Sequence, residues 1–329
     1  GSMYLKTKYE VTPLEGIRAL VGDRAEVSYA RGYRPKGNSG RPEDMDELRA
    51  EAVEAARDVD VVLFFGGHNR WGTQDCEGMD RLEYGLSYGQ EELIKALGEV
   101  SDRLVVTLVS GSAAAMPWLD SADAVLYGWY GGSDTGNVIA DVLFGNVCPS
   151  GKLPFTIAQK LEDYPPHYLN VYDRNNTGDV VYEESIFVGY RWFDKIGIRP
   201  LFPFGYGLSY TDFATGPVKA SRKSLREGGS LKFRVPVRNV GKVRGAQTVQ
   251  LYVRDVESSL PRPVKELKDF GKIWLEPGES GVVELSLTDK DLRFYDDTKK
   301  EWIAEKGEFE AMFGTSSEDI FQTVKFTLK

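Results

Sequence analysis

The sequence predicts an α/β domain with a mostly parallel sheet sandwiched by helices, followed by an all-β sandwich of the fibronectin type III kind. In the first part, short apolar runs alternate with helical segments of about ten residues, a pattern typical of a parallel sheet covered on both faces. Beyond residue 213, short alternating segments separated by glycine and proline turns predict the strands of a sandwich. We therefore place one domain at residues 1–212 and a second at residues 213–329.

The first domain opens with a helix that the sequence delimits at both ends. Thr12-Pro13-Leu14-Glu15 is a capping-box pattern with proline at the first helical position, and Gly22 can end the helix. Residues 25–30 are expected to form a strand. Sheets of this kind normally begin with a strand that leads into the first helix, so that strand either is lacking or precedes the sequence as given.

Strands and helices then alternate as far as residue 144. A helix capped by Asp44 or Asp46 is predicted to end near residue 59, and later helices are predicted over residues 90–100 and 137–144. Because helical segments separate the strands, the strands are expected to run in parallel. A continuous apolar run predicts a buried strand at residues 61–65, and two further strands are predicted at residues 104–109 and 124–127.

A connector and a set of half-buried strands make up the rest of the chain. Residues 149–211 are aromatic and rich in turns, and we interpret them as a connector that packs against the first domain. In the later segments, apolar and polar residues alternate as they do in the half-buried strands of a sandwich. They are residues 231–237, 249–253, 272–275, 281–287, 307–313 and 321–328.

Composition excludes several classes of partner. The chain of 329 residues carries a net charge of −9, which argues against nucleic acid or an anionic membrane because phosphate binding needs a basic face. The sequence shows neither a signal-peptide pattern nor an apolar run long enough to span a bilayer, and the compartment stays open. Cys76 and Cys148 are too few for a disulfide framework and lack zinc-ligand spacing, so we expect neither a metal nor a cofactor.

The longest segment without a regular pattern, residues 66–90, directly follows a predicted strand. Loops of this length are usually functional, and ligands of open parallel sheets bind beyond the carboxyl ends of the strands. Glu77, at the centre of the loop, is our candidate for a general acid/base because a carboxylate can do this work without a metal. Mutual repulsion among Asp75, Glu77 and Asp80 would raise the pKa of one of them, and pairing of Arg81 with Glu77 would oppose that. The alternative is that these are solvated loop charges.

Other residues on and near the loop carry weaker signals. His68 is expected either to touch a ligand or to be a hydrogen-bonded surface histidine. Trp71, Trp129 and Tyr130 could stack on a sugar, and a core or lid role is an equal alternative for each. Cys76 is expected to be a small packed residue, because nothing in the sequence marks it as activated.

Two short motifs suggest other enzyme classes but lack the required context. Residues 85–89 read G-L-S-Y-G and fit the G-x-S-x-G pattern of serine hydrolases, with His68 or His167 as a conceivable base. The nucleophile elbow needs a buried strand leading into it, which residues 80–84 do not resemble. Gly66-Gly67 follows a strand, but the G-x-G-x-x-G of a dinucleotide loop is missing.

Taken together, the motifs resemble the non-barrel part of family-3 glycoside hydrolases, the family of many β-glucosidases. The last hundred residues resemble the fibronectin type III domain of that family. Ser185 departs from the family pattern, which has glycine after the glutamate at this point. The matching segments are residues 11–17, the E-G-M-D-R of residues 77–81, and residues 90–94, 140–145, 149–154, 187–191 and 203–210.

The resemblance implies an enzyme that retains anomeric configuration and needs a second domain. In the family a (β/α)8 barrel carries the nucleophilic aspartate, and Glu77 matches the acid/base glutamate. The two carboxylates of such enzymes stand about 5 to 5.5 Å apart. The sequence contains no S-D-W stretch of the nucleophile type and no K-H-F of the substrate-binding type. We assign His68, Trp71, Asp80 and Arg81 to substrate binding.

Two functional hypotheses follow from this resemblance. In the first, the chain is the non-barrel portion of a retaining β-glucosidase that hydrolyses terminal β-D-glucosyl residues, with a barrel domain or chain as its partner. In the second, it is a non-catalytic carbohydrate-binding or assembly module. By itself the chain is expected either to expose an apolar patch where the barrel docks or to form a homo-oligomer that covers the patch.

Overall fold

The computed structural model describes residues 7–34, 43–69, 74–75, 80–81, 83–172 and 178–329. By packing, the chain divides into two compact units. Unit 1 comprises Gly1–Asn146 and Gln159–Leu161, and unit 2 comprises Val147–Ala158 and Glu162–Lys329. Each unit is described by itself.

The sheet of unit 1 is parallel. Within the described residues its strands are β1 (Val62–Gly67), β2 (Leu104–Val109) and β3 (Ala124–Tyr127), paired in the order β1-β2-β3. The three predicted strands are thereby confirmed, although β1 is only partly buried and β3 contains no buried residue. Leu104, Val106 and Leu108 of the central strand are fully buried, as expected for a strand covered on both faces.

Four helices of unit 1 lie in the described residues, and each was predicted within a few residues. They are α1 (Pro13–Val21), α2 (Glu43–Ala55), α3 (Gln90–Gly98) and α4 (Thr135–Leu143). The capping box of α1 forms as predicted, since Thr12 accepts from the Glu15 N–H and the Glu15 carboxylate accepts from the Thr12 N–H. No helix of the described residues is long and apolar enough to cross a membrane.

The side chains of β1 alternate between two packed layers. Leu63 and Phe65 pack with Ile17, Val21 and Ala140, side chains of α1 and α4. Helix α3 lies against β1 and β2. The parallel sheet with its helices therefore has the predicted α/β architecture.

Helices α1 and α4 approach each other through glycine. A Cβ atom added to Gly16 would lie 2.3 Å from the carbonyl oxygen of Gly136, and one added to Gly136 would lie 2.1 Å from that of Thr12. The Gly136 N–H donates to the Val11 carbonyl at 3.0 Å, which connects the start of α4 to the start of α1. This contact leaves no room for a side chain at either glycine.

The strand expected at residues 25–30 does not form. Ala25 has extended backbone, with φ of −152° and ψ of 145°, but residues 25–30 pair with no strand in the described part of the chain. Val27 packs beside the α1–α4 cluster, whereas Tyr29 is 64% exposed. Alternation of side chains predicts one buried face, but a strand also requires a neighbour that offers free backbone groups.

In its described residues, unit 2 contains two short α-helices and a β-sandwich. The helices are α5 (Pro165–Tyr168) and α6 (Tyr190–Ile196). The strands are β4 (Phe213–Thr215), β5 (Lys219–Ala220), β6 (Ser224–Leu225), β7 (Ser230–Asn239), β8 (Gly245–Asp255), β9 (Glu266–Leu275), β10 (Ser280–Thr288), β11 (Phe294–Asp296), β12 (Glu301–Ile303), β13 (Gly307–Gly314) and β14 (Ile320–Leu328).

Two sheets enclose the core of the sandwich. One has the order β10-β7-β4, with β5 also paired to β7, and the other has the order β6-β14-β13-β8-β9. Phe233 and Phe313, one from each sheet, lie edge to face with ring centroids 5.1 Å apart. Along β7, Leu231, Phe233 and Val235 are buried and the residues between them are exposed, so the predicted alternation is confirmed.

Candidate active site

The loop singled out by its length leaves the carboxyl end of β1 and returns to the start of α3. Glu77 and Trp71 lie outside the described residues, whereas His68, Asp80 and Arg81 lie within them. The fully buried side chain of Gln90 joins the two ends of the loop. Its Oε1 accepts from the Gly67 N–H at 2.7 Å, and its Nε2 donates to the carbonyls of Gly67 and Ser87 at 3.0 and 2.9 Å.

Asp75 attaches the first half of the loop to the segments that follow β2 and β3. Its Oδ2 accepts from the Gly111 N–H at 2.9 Å and from the Tyr130 hydroxyl at 2.8 Å, and its Oδ1 accepts from the Ser112 hydroxyl. The Asp75 N–H donates to the Asn69 carbonyl at 3.0 Å. The carboxylate is therefore a structural anchor for this loop.

The charge of Asp75 is stabilised by these bonds. Partial burial by itself would raise the pKa of the carboxyl, but the donors from Ser112, Gly111 and Tyr130 favour the ionised form and hold the pKa below its usual range. Burial and the bond to Asp75 raise the pKa of Tyr130, so its hydroxyl keeps the proton that it donates. The anchor is thus an ionised carboxylate with neutral donors.

His68 directly follows β1 and is buried, with 6% of its surface exposed. Its Nε2 lies 3.2 Å from the Gly85 carbonyl oxygen and 3.1 Å from an Arg81 nitrogen. Its Nδ1 lies 2.9 Å from the Ser110 hydroxyl oxygen and 3.2 Å from the same Arg81 nitrogen. Burial, followed by the Arg81 charge, lowers the pKa of His68 and keeps the ring neutral.

Arg81 attaches the second half of the loop. Its guanidinium lies against the ring of His68 and also donates to the Ala113 carbonyl at 2.5 Å. Nearby, the Ala115 N–H donates to the Tyr84 carbonyl at 2.9 Å. Asp75 and Arg81 therefore hold the loop, on either side of residue 77, against the segment that follows β2.

A small cavity opens at the carboxyl end of β1, where ligands of parallel sheets bind. Its volume is about 230 Å³. Burial raises the pKa of the lining Tyr33 to about 12, and its neutral hydroxyl donates to the Phe65 carbonyl at 3.2 Å. The other lining residues are Gly66, Gly67, His68, Asn69, Tyr88, Gln90 and Val109.

The structure brings together only some of the residues predicted for the site. His68 and Arg81 are in direct contact, whereas Asp80 is exposed. Tyr130 reaches the anchor through its hydroxyl, and the ring of Trp129 lies 4.7 Å from that of Tyr127. Among the described residues, no group of three His, Cys, Asp or Glu side chains could hold a metal ion.

The serine-hydrolase alternative has no structural support. The described residues directly before Ser87, residues 83–86, form no strand, so no strand leads into a nucleophile elbow. The backbone carbonyl of Ser87 accepts a hydrogen bond from the Gln90 side chain. Ser87 therefore belongs to the turn that enters α3.

The fold and the site define a class of protein: an α/β sheet domain with a carboxylate-anchored loop, joined to a fibronectin-like sandwich. Residues 1–210 match the family model of the glycosyl hydrolase family 3 C-terminal domain, and residues 247–317 match that of a fibronectin type III-like domain. The chain therefore belongs to glycosyl hydrolase family 3, as the sequence resemblance predicted.

Similar proteins are β-glucosidases of greater length. The chain is 45% identical to β-glucosidase BoGH3A of Bacteroides ovatus, over 99% of this chain and 44% of that protein. It is 42% identical to thermostable β-glucosidase B of Acetivibrio thermocellus, over 93% and 39% respectively. The crystal structure of a Bifidobacterium adolescentis GH3 β-glucosidase superposes with a TM-score of 0.87 at 32% identity, over all of this chain and 47% of that one. The chain thus spans less than half the length of these relatives.

Proposed function

We propose that this chain is the non-barrel portion of a retaining β-glucosidase and that it supplies the general acid/base, Glu77. The nucleophile would come from the part of the relatives that this chain does not match, as a barrel domain or a separate barrel chain. The substrates would be β-glucosides with a terminal β-D-glucosyl residue. The observation that carries this proposal is the double attachment of the loop by Asp75 and Arg81.

The attachments restrict where the acid/base can act. Glu77 follows Asp75 by two positions, and two extended residues span at most about 7 Å. Asp75 itself is bound beside the carboxyl ends of β2 and β3. This is the edge of the sheet at which ligands of such folds bind, which supports the proposed role of the loop.

The proposed chemistry uses one carboxyl in two steps. In the first step the protonated Glu77 gives its proton to the leaving glycosidic oxygen while the partner's carboxylate attacks the anomeric carbon. In the second step the ionised Glu77 takes a proton from a water that releases the sugar. A positioned acid of this kind typically contributes about 10²- to 10⁴-fold in rate.

The other proposed site residues divide into two roles. His68 and Arg81 hold the loop, since the ring nitrogens and the guanidinium are bound within the protein. Trp71 and Asp80 are the proposed direct contacts to substrate. The cavity at the end of β1 is lined in part by residues 66–69, which precede Trp71 and Asp80 in the sequence. We expect it to receive part of the leaving group.

A reconstitution experiment tests the proposal. The chain is co-expressed with the portion of the Bacteroides ovatus relative that it does not match, and hydrolysis of an aryl β-glucoside is measured. We expect activity only in the combination, its loss in Glu77→Ala and partial recovery with azide, which can attack in place of an activated water. Glu83→Ala, which removes an exposed carboxylate of the same loop, is the control and should stay active. Activity that survives Glu77→Ala would refute the role of Glu77.

A further inference from the structure

The register of the parallel sheet places Ser110 beside His68. β1 and β2 pair so that Gly67 lies opposite Val109, and His68 and Ser110 are the next residues of the two segments. The His68 N–H donates to the Val109 carbonyl at 3.0 Å, so the two segments stay together beyond the strands. Ser110 is fully buried, and its Oγ lies 2.9 Å from His68 Nδ1.

Glycine at position 67 permits this close approach. Its φ is 130°, in the region that favours glycine, and a Cβ atom added there would lie 2.0 Å from the Val109 carbonyl oxygen. A side chain at position 67 would therefore force the strand ends apart and separate His68 from Ser110.

The Ser110 hydroxyl also organises the turn that holds Asp75. Its Oγ lies 2.8 Å from the Ser112 carbonyl oxygen and accepts from the Ser112 N–H at 3.3 Å, a local side-chain-to-backbone arrangement typical of serine. Within this turn, the Gly111 N–H and the Ser112 hydroxyl both donate to the Asp75 carboxylate. Ser110 Oγ itself lies 3.4 Å from Asp75 Oδ2. The hydroxyl thus supports the donors that attach the first half of the loop.

Through His68 the same hydroxyl reaches the second half of the loop. One Arg81 nitrogen lies 3.2 and 3.1 Å from the two ring nitrogens of His68, and another donates to the Ala113 carbonyl. The position of the ring therefore sets the surface against which the Arg81 guanidinium lies. Ser110 is in contact with this ring on one side and with the turn that binds Asp75 on the other.

We propose that Ser110 is a positioning residue that couples the two attachments of the loop, so that its halves stay bound or come loose together. Loss of a buried hydroxyl leaves its former partners unsatisfied, here both the His68 ring and the turn. The coupling rests on the contacts of this hydroxyl alone. Its effect on catalysis rests on the proposed function, because Glu77 lies in the sequence between Asp75 and Arg81.

Two backbone amides report on the two halves of the loop. The Asp75 N–H donates to the Asn69 carbonyl within the first half. The Ala115 N–H donates to the Tyr84 carbonyl, which ties the second half to the segment after β2. Hydrogen exchange of these amides in the whole chain measures how readily each half opens.

Two serine variants separate coupling from local loosening. Ser110→Ala should accelerate exchange of both the Asp75 and the Ala115 amides by about tenfold, the factor expected when one buried hydrogen bond is lost. Ser112→Ala removes a donor to Asp75 but leaves the contact between Ser110 and His68 in place. It should accelerate exchange of the Asp75 amide and leave the Ala115 amide unchanged.

Thr107→Val is the control for general destabilisation, since it removes another buried hydroxyl from β2 and should leave both exchange rates unchanged. Acceleration of only one amide in Ser110→Ala, or of neither, would overturn the coupling. So would the same acceleration of both amides in Ser112→Ala or in Thr107→Val, because the effect would then not depend on the Ser110 hydroxyl.

Kinetics of the complex with the unmatched portion of the Bacteroides ovatus relative test the positioning role. Ser110→Ala should lower kcat for an alkyl β-glucoside by about tenfold or more with little change in KM, because a displacement of about 1 Å can cost about 100-fold. A dinitrophenyl β-glucoside needs little protonation and should lose far less. An unchanged kcat, or equal losses for both substrates, would overturn the positioning role. A wild-type complex that hydrolyses neither substrate would refute the catalytic proposal, whereas the exchange rates decide the coupling.

Discussion

Tyr130 donates a hydrogen bond of 2.8 Å to the Oδ2 of Asp75, a residue 55 positions earlier in the chain. The same oxygen accepts from the Gly111 N–H. One carboxylate thus connects the loop after β1 to the segments after β2 and β3. The loop that contains the proposed acid/base is therefore attached by contacts that only the folded sheet creates.

Replacing Asp75 should loosen the loop, and the resulting loss of stability should depend on pH. Asp75→Asn keeps the shape of the side chain but removes the ionised acceptor. Hydrogen bonds to charged groups contribute about 1.5–3 kcal/mol to the stability of a protein, and we expect a smaller loss at this partly exposed position. Because the pKa of Asp75 is depressed in the folded protein, its contribution is complete above the unfolded-state value near 3.9 and is lost as the pH falls through the folded-state pKa. Urea unfolding of both proteins from pH 7 down to pH 3 should show their difference in stability shrinking in acid.

A difference that stays constant over that range would contradict the ionised anchor. Asp80→Asn is the matched control, since it removes an exposed carboxylate five positions away.

The sequence predicted the sheet far better than this anchor. The strand at residues 104–109 was predicted without error, because a continuous apolar run between polar ends defines a buried strand by itself. Asp75 was considered only as a neighbour of Glu77, since its partners Gly111, Ser112 and Tyr130 lie 36 to 55 positions away. Helix α6 was hidden in an aromatic connector because its seven residues are too few for a helical period.

The acid role of Glu77 predicts a dependence on the leaving group. In the reconstituted complex, Glu77→Ala should lower kcat/KM for an alkyl β-glucoside by about 10²- to 10⁴-fold, because a poor leaving group needs protonation. A dinitrophenyl β-glucoside needs little protonation and should lose far less. Equal losses for both substrates would argue against general acid catalysis by this residue.

His68 should remain neutral as the pH falls through its usual pKa. Burial and the Arg81 charge lower its pKa in the folded protein, so the unfolded chain binds a proton more readily below about pH 6.5. His68 therefore makes the protein less stable as the pH falls from about 6.5 toward the folded-state pKa. His68→Gln should abolish this part of the pH dependence of unfolding.

An NMR titration measures the same shift directly. The sequence has two histidines, so a His167→Gln variant assigns the resonance of His68. A midpoint at or above 6.5 would show that the ring is not held neutral.

The contact between α1 and α4 predicts a severe effect of a single methyl group. In Gly136→Ala the new Cβ would lie 2.1 Å from the Thr12 carbonyl oxygen, so the helices must separate, and overpacking of this kind destabilises by about 1–3 kcal/mol. Gly151→Ala is the control, because a Cβ at that position meets no atom within 4 Å. Equal unfolding midpoints in urea for the two variants would contradict the close approach.

Ser185 occupies a backbone conformation that suits the glycine of the family pattern. Its φ is 56°, in the left-handed region, where a residue with a Cβ atom is strained by about 1–2 kcal/mol. Ser185→Gly removes this strain but adds freedom to the unfolded chain, a loss of about 0.4–1 kcal/mol, so a net stabilisation of about 0.5–1 kcal/mol is expected. Ser185→Ala keeps the Cβ atom and should not stabilise the protein. If calorimetry finds the glycine variant no more stable than the alanine variant, the left-handed conformation is not what distinguishes this position.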